Sequence, residues 1–250
     1  MVMRLPSYLN PQLSESMTIN VNNRMVSHFL LPLIGLIGIS ITIAATDVDM
    51  ILADYFYSIQ GYSWAWKNSW LAEEFFHKGG RALSILLALL LLVLLLTSYF
   101  QNALAIHKKP LLFLFLATAG GSLLVSILKA SLAVSCPWEF SRYGGTLFYT
   151  NVVEQLFLRN GEGCFPAGHA SAGYAWISCY FFGLYYQSKW RWIGLVVPLL
   201  AGVLLGVVQQ LRGAHFLSHD LWTLAICWFY SLILFLLFTN TPAKKLATAK

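Results

Sequence analysis

Six long apolar stretches, separated by short polar connections, fill the chain from about residue 29 to residue 238. They run near Phe29 to Thr46, Ala82 to Phe100, Leu111 to Val134, Ala167 to Tyr186, Trp192 to Gln210 and Phe216 to Phe238. A helix of about 18 residues or more crosses a hydrocarbon core of roughly 30 Å, so each stretch is predicted to span a membrane. The expected architecture is an all-α polytopic membrane protein with six transmembrane helices and one membrane domain over residues 28–238. Residues 1–27 and 239–250 bury little apolar surface and are expected to form cytoplasmic ends. The polar lead of about 25 residues carries no small-residue cleavage pattern, so a cleaved signal peptide is not expected. Neither an internal repeat nor a linker separates a second domain.

Composition agrees with this pattern and removes the soluble classes. Of 250 residues, 58% are hydrophobic and only 10% charged, and the mean hydropathy is +0.66, far from the balance of a soluble domain. No nucleic-acid partner is expected; membrane lipids are. With the amino terminus cytoplasmic, that side carries nine Lys and Arg residues and one acid, Glu15. The opposite side carries seven basic residues and nine acids. The excess of basic residues inside supports cytoplasmic termini.

The first outer connection holds Trp64, Trp66 and Trp70 beside the sequence LAEEFFHKGGR. An interfacial segment with an aromatic belt is its ordinary reading. The functional alternative is a lid over an outer-face site, in which His77, Lys78 and Arg81 touch an anionic headgroup. Four cysteines divide evenly. Cys179 and Cys227 fall in predicted spans as small buried side chains. Cys136 and Cys164, 28 positions apart in the connection between the third and fourth spans, either form a disulfide permitted by an oxidising compartment or remain free thiols.

Three outer-face segments concentrate the polar chemistry. They are LKASLAVSCPWEFSRYGG at the end of the third span, CFPAGHASAG at the start of the fourth, and QQLRGAHFLSHDLW between the fifth and sixth. Together they bring Lys129, Arg142, His169, Arg212, His215, His219 and Asp220 to similar depth. Ionisable groups at such depth are functional candidates. Taken singly, Lys129 reads as a snorkelling lysine, Arg142 and Arg212 as interfacial anchors, and His169 as a satisfied polar residue. Their convergence changes that reading.

The chemistry suggested is that of phosphate. Proline costs no donor at a helix start, Gly168 permits close approach, and the free amides of a helix amino terminus bind anions. Pro166-Ala167-Gly168-His169 has that form. Lys129, Arg142 and Arg212 would add fixed positive charge. One neutral imidazole can attack phosphorus while a protonated one donates to the leaving oxygen. His215 and His219, four apart, share a helix face, so one can orient the other. The same spacing also suits zinc or simple core packing.

At these residues the sequence resembles the type 2 phosphatidic acid phosphatase superfamily, which includes bacterial lipid phosphatases and the vanadium haloperoxidases. The family pattern is Lys-x6-Arg-Pro, Pro-Ser-Gly-His, and Ser-Arg-x5-His-x3-Asp. This chain reads Lys129-x6-Cys136-Pro137, Pro166-Ala167-Gly168-His169, and Gln209-x5-His215-x3-His219. Its departures include Cys136, Ala167, Gln209 and His219. Arg142 and Arg212 are the nearest replacements for the two arginines, and Asp220 adjoins the position of the aspartate.

The resemblance implies a phosphatase that needs no metal or other cofactor and works through a phosphohistidine intermediate. His215 would be the nucleophile, His169 the general acid and His219 the residue that orients His215. Lys129, Arg142, Gly168 and Arg212 would hold the phosphate. Activity is expected to decline toward alkaline pH as His169 loses its proton. The implied setting is the outer leaflet of a bacterial inner membrane. Implied substrates are undecaprenyl diphosphate, phosphatidylglycerophosphate, phosphatidic acid or lipid A, with water or a second lipid taking the phosphoryl group. The alternative is a non-catalytic lipid-phosphate binder or transporter that keeps the anion cradle. Retention of two titrating imidazoles favours the enzyme.

Overall fold

A computed structural model of the chain describes residues 26–240, which are helical with no named strand. The expected terminal segments therefore lie largely outside the described residues. Helices α1 (Leu31–Thr46), α2 (Val48–Ser58), α3 (Gly80–Phe100) and α4 (Lys108–Leu132) are followed by α5 (Val152–Leu158), α6 (Ser171–Tyr174), α7 (Ser178–Tyr185), α8 (Ile193–Leu211) and α9 (Leu217–Asn240). Among the described residues, five helical segments are long and apolar enough to cross a membrane: Val26–Thr46, Leu71–Phe100, Asn102–Glu139, Lys189–Leu211 and Leu217–Thr239.

The stretch expected to form the fourth span is shorter. Its helix begins at Ser171 rather than Ala167 and runs to Tyr185 as α6, a tighter turn over Ala175–Ile177, and α7. Two bonds tie Ala167, ahead of that helix, to α9. The Ala167 N–H donates to the carbonyl of His219 (3.3 Å), and the Thr223 hydroxyl donates to the carbonyl of Ala167 (3.2 Å). The Phe165–Pro166 bond just before it is cis.

Packing places α6 and α7 inside the bundle, between α4, α8 and α9. Ile177 and Phe181 are buried with Phe113 and Leu114 of α4 and Leu232 and Phe235 of α9. The hydroxyls of Thr118 and Ser178 meet at 2.6 Å, which satisfies two polar groups that apolar surroundings would otherwise penalise. Against α8 the approach is closer still. A Cβ on Gly202 would collide with the ring of Tyr174, and one on Gly173 with the backbone of Gly202. Small residues at such crossings let helices touch backbone to backbone.

Two stitched regions surround one end of these helices. In the connection from α4 to α6, Cys136 and Cys164 form a disulfide, with Cα atoms 5.2 Å apart. The Glu139 carboxylate accepts from the Cys136 N–H (2.6 Å) and from the Glu162 N–H (3.1 Å). The Cys164 N–H donates to the carbonyl of Val134 (2.7 Å). The other stitched region is the connection from α1 to α3, which folds back over the α8–α9 corner. The Asp49 carboxylate accepts from the Ser218 N–H (2.9 Å), and Gln60 donates to the Leu211 carbonyl (2.8 Å). Trp64 packs on Gly213, whose φ of +73° leaves no room for a Cβ against the indole.

The disulfide fixes a connection whose ends flank the polar cluster. Closing a loop of 28 positions contributes roughly 3–4 kcal/mol in the chain-entropy account. Cys136→Ser is accordingly expected to lose the mobility difference that the wild type shows between reducing and non-reducing gels, and to melt at lower temperature in detergent. Identical gels and melting curves for the two proteins would show the bond to be absent in solution.

Candidate active site

Lys129 comes from the last turn of α4, where the helix meets the turn that carries His169. Gly168 sits directly beside the lysine: a Cβ at that position would lie 3.4 Å from Cδ and 3.8 Å from Nζ of Lys129, ordinary contact distances. The N–H groups of Gly168 and His169 donate to no acceptor among the described residues. Ser171 instead closes the turn by donating its hydroxyl to the Gly168 carbonyl (2.6 Å). Lys129, Gly168 and His169 line the same space, and a lysine beside unbonded backbone amides is suited to an anion.

That space is a cavity of about 790 Å³ between α3 and α4, lined at its polar end by Arg81, Lys129, Gly168 and His169. Ser122 and Ser126 continue the polar wall along α4. Farther along, the lining turns apolar with Leu89 and Leu92 of α3 and Phe115 and Leu123 of α4. Glu162 stands on the rim, where its carboxylate accepts from the Trp138 indole N–H (3.2 Å).

His215 and His219 lie behind this end and do not line the cavity. They are 2% and 1% exposed, with ring centroids 5.7 Å apart and ring planes at 64°. The Cys164 backbone carbonyl interacts with both imidazoles, while neither Nδ1 has a hydrogen-bond partner. Burial pushes the His215 pKa well below its ordinary value, and the neighbouring Lys129, His219 and His169 act in the same direction. Burial thus favours the neutral ring, the form in which an imidazole is a nucleophile. Asp220 does not support either ring. Its carboxylate accepts from the Gln210 amide (2.6 Å) and abuts Gly206 of α8.

The π-wound segment Leu71–Gly79 leading into α3 supplies a wall that the motif spacing could not reveal. The rings of His77 and His169 lie with centroids 3.7 Å apart. His77 Nδ1 is 3.6 Å from a Glu73 oxygen, and the other Glu73 oxygen pairs with Arg212. Arg212 also donates to the Lys67 carbonyl (2.8 Å) and to the Gln209 side chain (3.1 Å). Burial pushes the His169 pKa down to about 3, aided by the charges of His77, Lys129, Arg212 and Arg81. The signal for this wall was the four-residue spacing of Glu73, His77 and Arg81.

The structure thus brings together Lys129, Gly168 and His169 at the cavity, His215 and His219 behind them, and Arg212 at the side, held by Glu73. Arg142 is not brought to the cavity. Its guanidinium makes a two-pronged pair with Asp54 of α2 (2.8 and 2.5 Å), and Tyr143 joins the same carboxylate (2.9 Å). Nor do His215 and His219 form a metal constellation. The one group of three such ligand atoms within 4.8 Å of one another among the described residues is Cys136, Glu139 and Cys164, whose two sulfurs are bonded to each other.

A multi-pass helical membrane protein with a cation, an imidazole and a glycine turn at one end of an otherwise largely apolar cavity offers a place for an anionic amphiphile. More specifically, the model of the PAP2 superfamily matches residues 110–242, over half of the chain, and the chain belongs to that superfamily, whose chemistry is of the phosphatase type. No match was found among curated proteins or among solved structures.

Proposed function

We propose that the protein is an integral membrane phosphatase that removes or transfers a phosphate from a lipid phosphate or diphosphate through a phosphohistidine intermediate. The observation that carries this reading is the cavity, which joins Lys129, Gly168 and His169 to an apolar groove between α3 and α4. A phosphorylated amphiphile matches both ends. The phosphate lies against Lys129 and the amides of Gly168 and His169, with the lipid chain along Leu89, Leu92 and Phe115.

Neutral His215 attacks phosphorus as the bond to the lipid oxygen breaks, and protonated His169 gives its proton to that oxygen. Water then attacks the phosphohistidine while His169 takes its proton, releasing phosphate and restoring His215. A second lipid hydroxyl in place of water gives transfer. His219, edge-on to His215, holds the ring in place. Because His169 is neutral in the free protein, the phosphate monoanion brings the proton with it. Catalytic efficiency then falls as pH rises through the second ionisation of the substrate, near 6. Arg142 stays paired with Asp54 and has no role at the phosphate in this reading.

Six crossings are part of this reading, with α6 and α7 as a short fourth one inside the bundle. The disulfide and the charge asymmetry support an outer-leaflet site in a bacterial inner membrane. One observation favours a competing reading, a lipid-phosphate binder or transporter: His215 is buried and does not line the cavity. Phosphate release from phosphatidic acid, phosphatidylglycerophosphate, undecaprenyl diphosphate and lipid A separates the two. The enzyme releases phosphate from at least one of them, resists EDTA and is inhibited by vanadate. A protein that binds these lipids but releases nothing is a binder, and loss of activity with EDTA would point to a metal.

A further inference from the structure

We propose that Arg81, in the first turn of α3, is the second phosphate-binding cation of this site. The inference rests on the phosphate reading above and deepens it, because α3 precedes the family-matched region that starts at residue 110. Two arginines of the family pattern are replaced here by Cys136 and Gln209. The two arginines nearest in sequence are both engaged with carboxylates, Arg142 with Asp54 and Arg212 with Glu73. Arg81 makes no hydrogen bond or ion pair with any described residue, lines the cavity with Lys129, Gly168 and His169, and acts electrostatically on His169.

Placement follows from the helix itself. The ring contact between His77 and His169 brings the segment just before α3 against the site, and Arg81, in the first turn of α3, lines the cavity beside it. Charge supplies the second argument. Beside Arg81, Lys129 is the one Lys or Arg that lines the cavity, and Glu162 on the rim offsets its charge. A guanidinium can also grip two phosphate oxygens at once, which an ammonium does not. The free arginine thus stands across the cavity from the lysine, on an element that the motifs of the family do not include.

The test compares Arg81→Ala, Arg81→Lys and Arg142→Ala in purified full-length protein. Inorganic phosphate binding by calorimetry is read beside KM and kcat for whichever lipid phosphate the wild type cleaves. Losing a charged hydrogen-bond donor predicts about 10- to 100-fold weaker phosphate binding in Arg81→Ala, with a similar rise in KM. Arg81→Lys recovers part of it, and Arg142→Ala stays within about two-fold of wild type. Phosphate binding and KM unchanged in Arg81→Ala would overturn the proposal, as would an equal loss in Arg142→Ala. Melting temperatures identify a misfolded variant, in which case Arg81→Lys and Arg81→Gln carry the comparison. If the wild type binds phosphate but cleaves no lipid, the enzymatic reading fails while calorimetry still decides the role of Arg81.

Discussion

His215→Ala is expected to lower kcat on lipid phosphate by roughly four orders of magnitude or more, because removing the attacking group abolishes the covalent route altogether. The ring is buried and neutral, it does not line the cavity, and so it makes little direct contribution to ground-state binding. Inorganic phosphate affinity in the variant should therefore stay within a few-fold of wild type. A loss in kcat with binding retained separates a nucleophile from a structural histidine, whose removal would lower both through misfolding. Helical circular dichroism and melting temperature check the fold directly. Retention of a tenth or more of wild-type kcat would remove His215 from the chemistry.

For His169→Gln the expected loss is about 10²–10⁴-fold in kcat, the range for a positioned general acid, and it depends on the leaving group. An aliphatic lipid alkoxide needs the proton of His169; a p-nitrophenolate leaves without it. The variant should lose much more activity on a lipid phosphate than on p-nitrophenyl phosphate, with the gap reaching about a hundredfold. The pH profile gives an independent reading. Burial, His77, Lys129, Arg212 and Arg81 all keep the free imidazole neutral, so the proton enters with substrate. Wild-type kcat/KM on a lipid phosphate then falls with rising pH above about 6, and the fall flattens in His169→Gln. Equal losses on both substrates, with an unchanged pH profile, would assign His169 a packing role.

The helices and the composition of the site were readable because both depend on local pattern. Long apolar runs fix α1, α3, α4, α8 and α9, and the spacings around Lys129, His169 and His215 bring those residues to one end of the bundle. The fourth run is different. Its apolar length predicted a helix from Ala167, yet the helix begins at Ser171, and Ala167 is bonded instead to His219 and Thr223 of α9. A sequence pattern does not report such tertiary bonds. The pairing of charges was hidden for the same reason. Arg142 and Asp54 are 88 positions apart, and Arg212 and Glu73 are 139 apart, so nothing local shows that these arginines are already engaged. Arg81 was visible only as one headgroup contact among several in a candidate lid; its freedom from partners appears only once the other cations are paired.

The phosphohistidine at position 215 is tested most directly by mass spectrometry of the enzyme quenched in alkali during turnover of a lipid phosphate. The mechanism requires one phosphoryl group on the peptide containing His215, absent from His215→Ala and lost on acid treatment. Turnover with no covalent phosphate, or with the phosphate on His169 or His219, would contradict it.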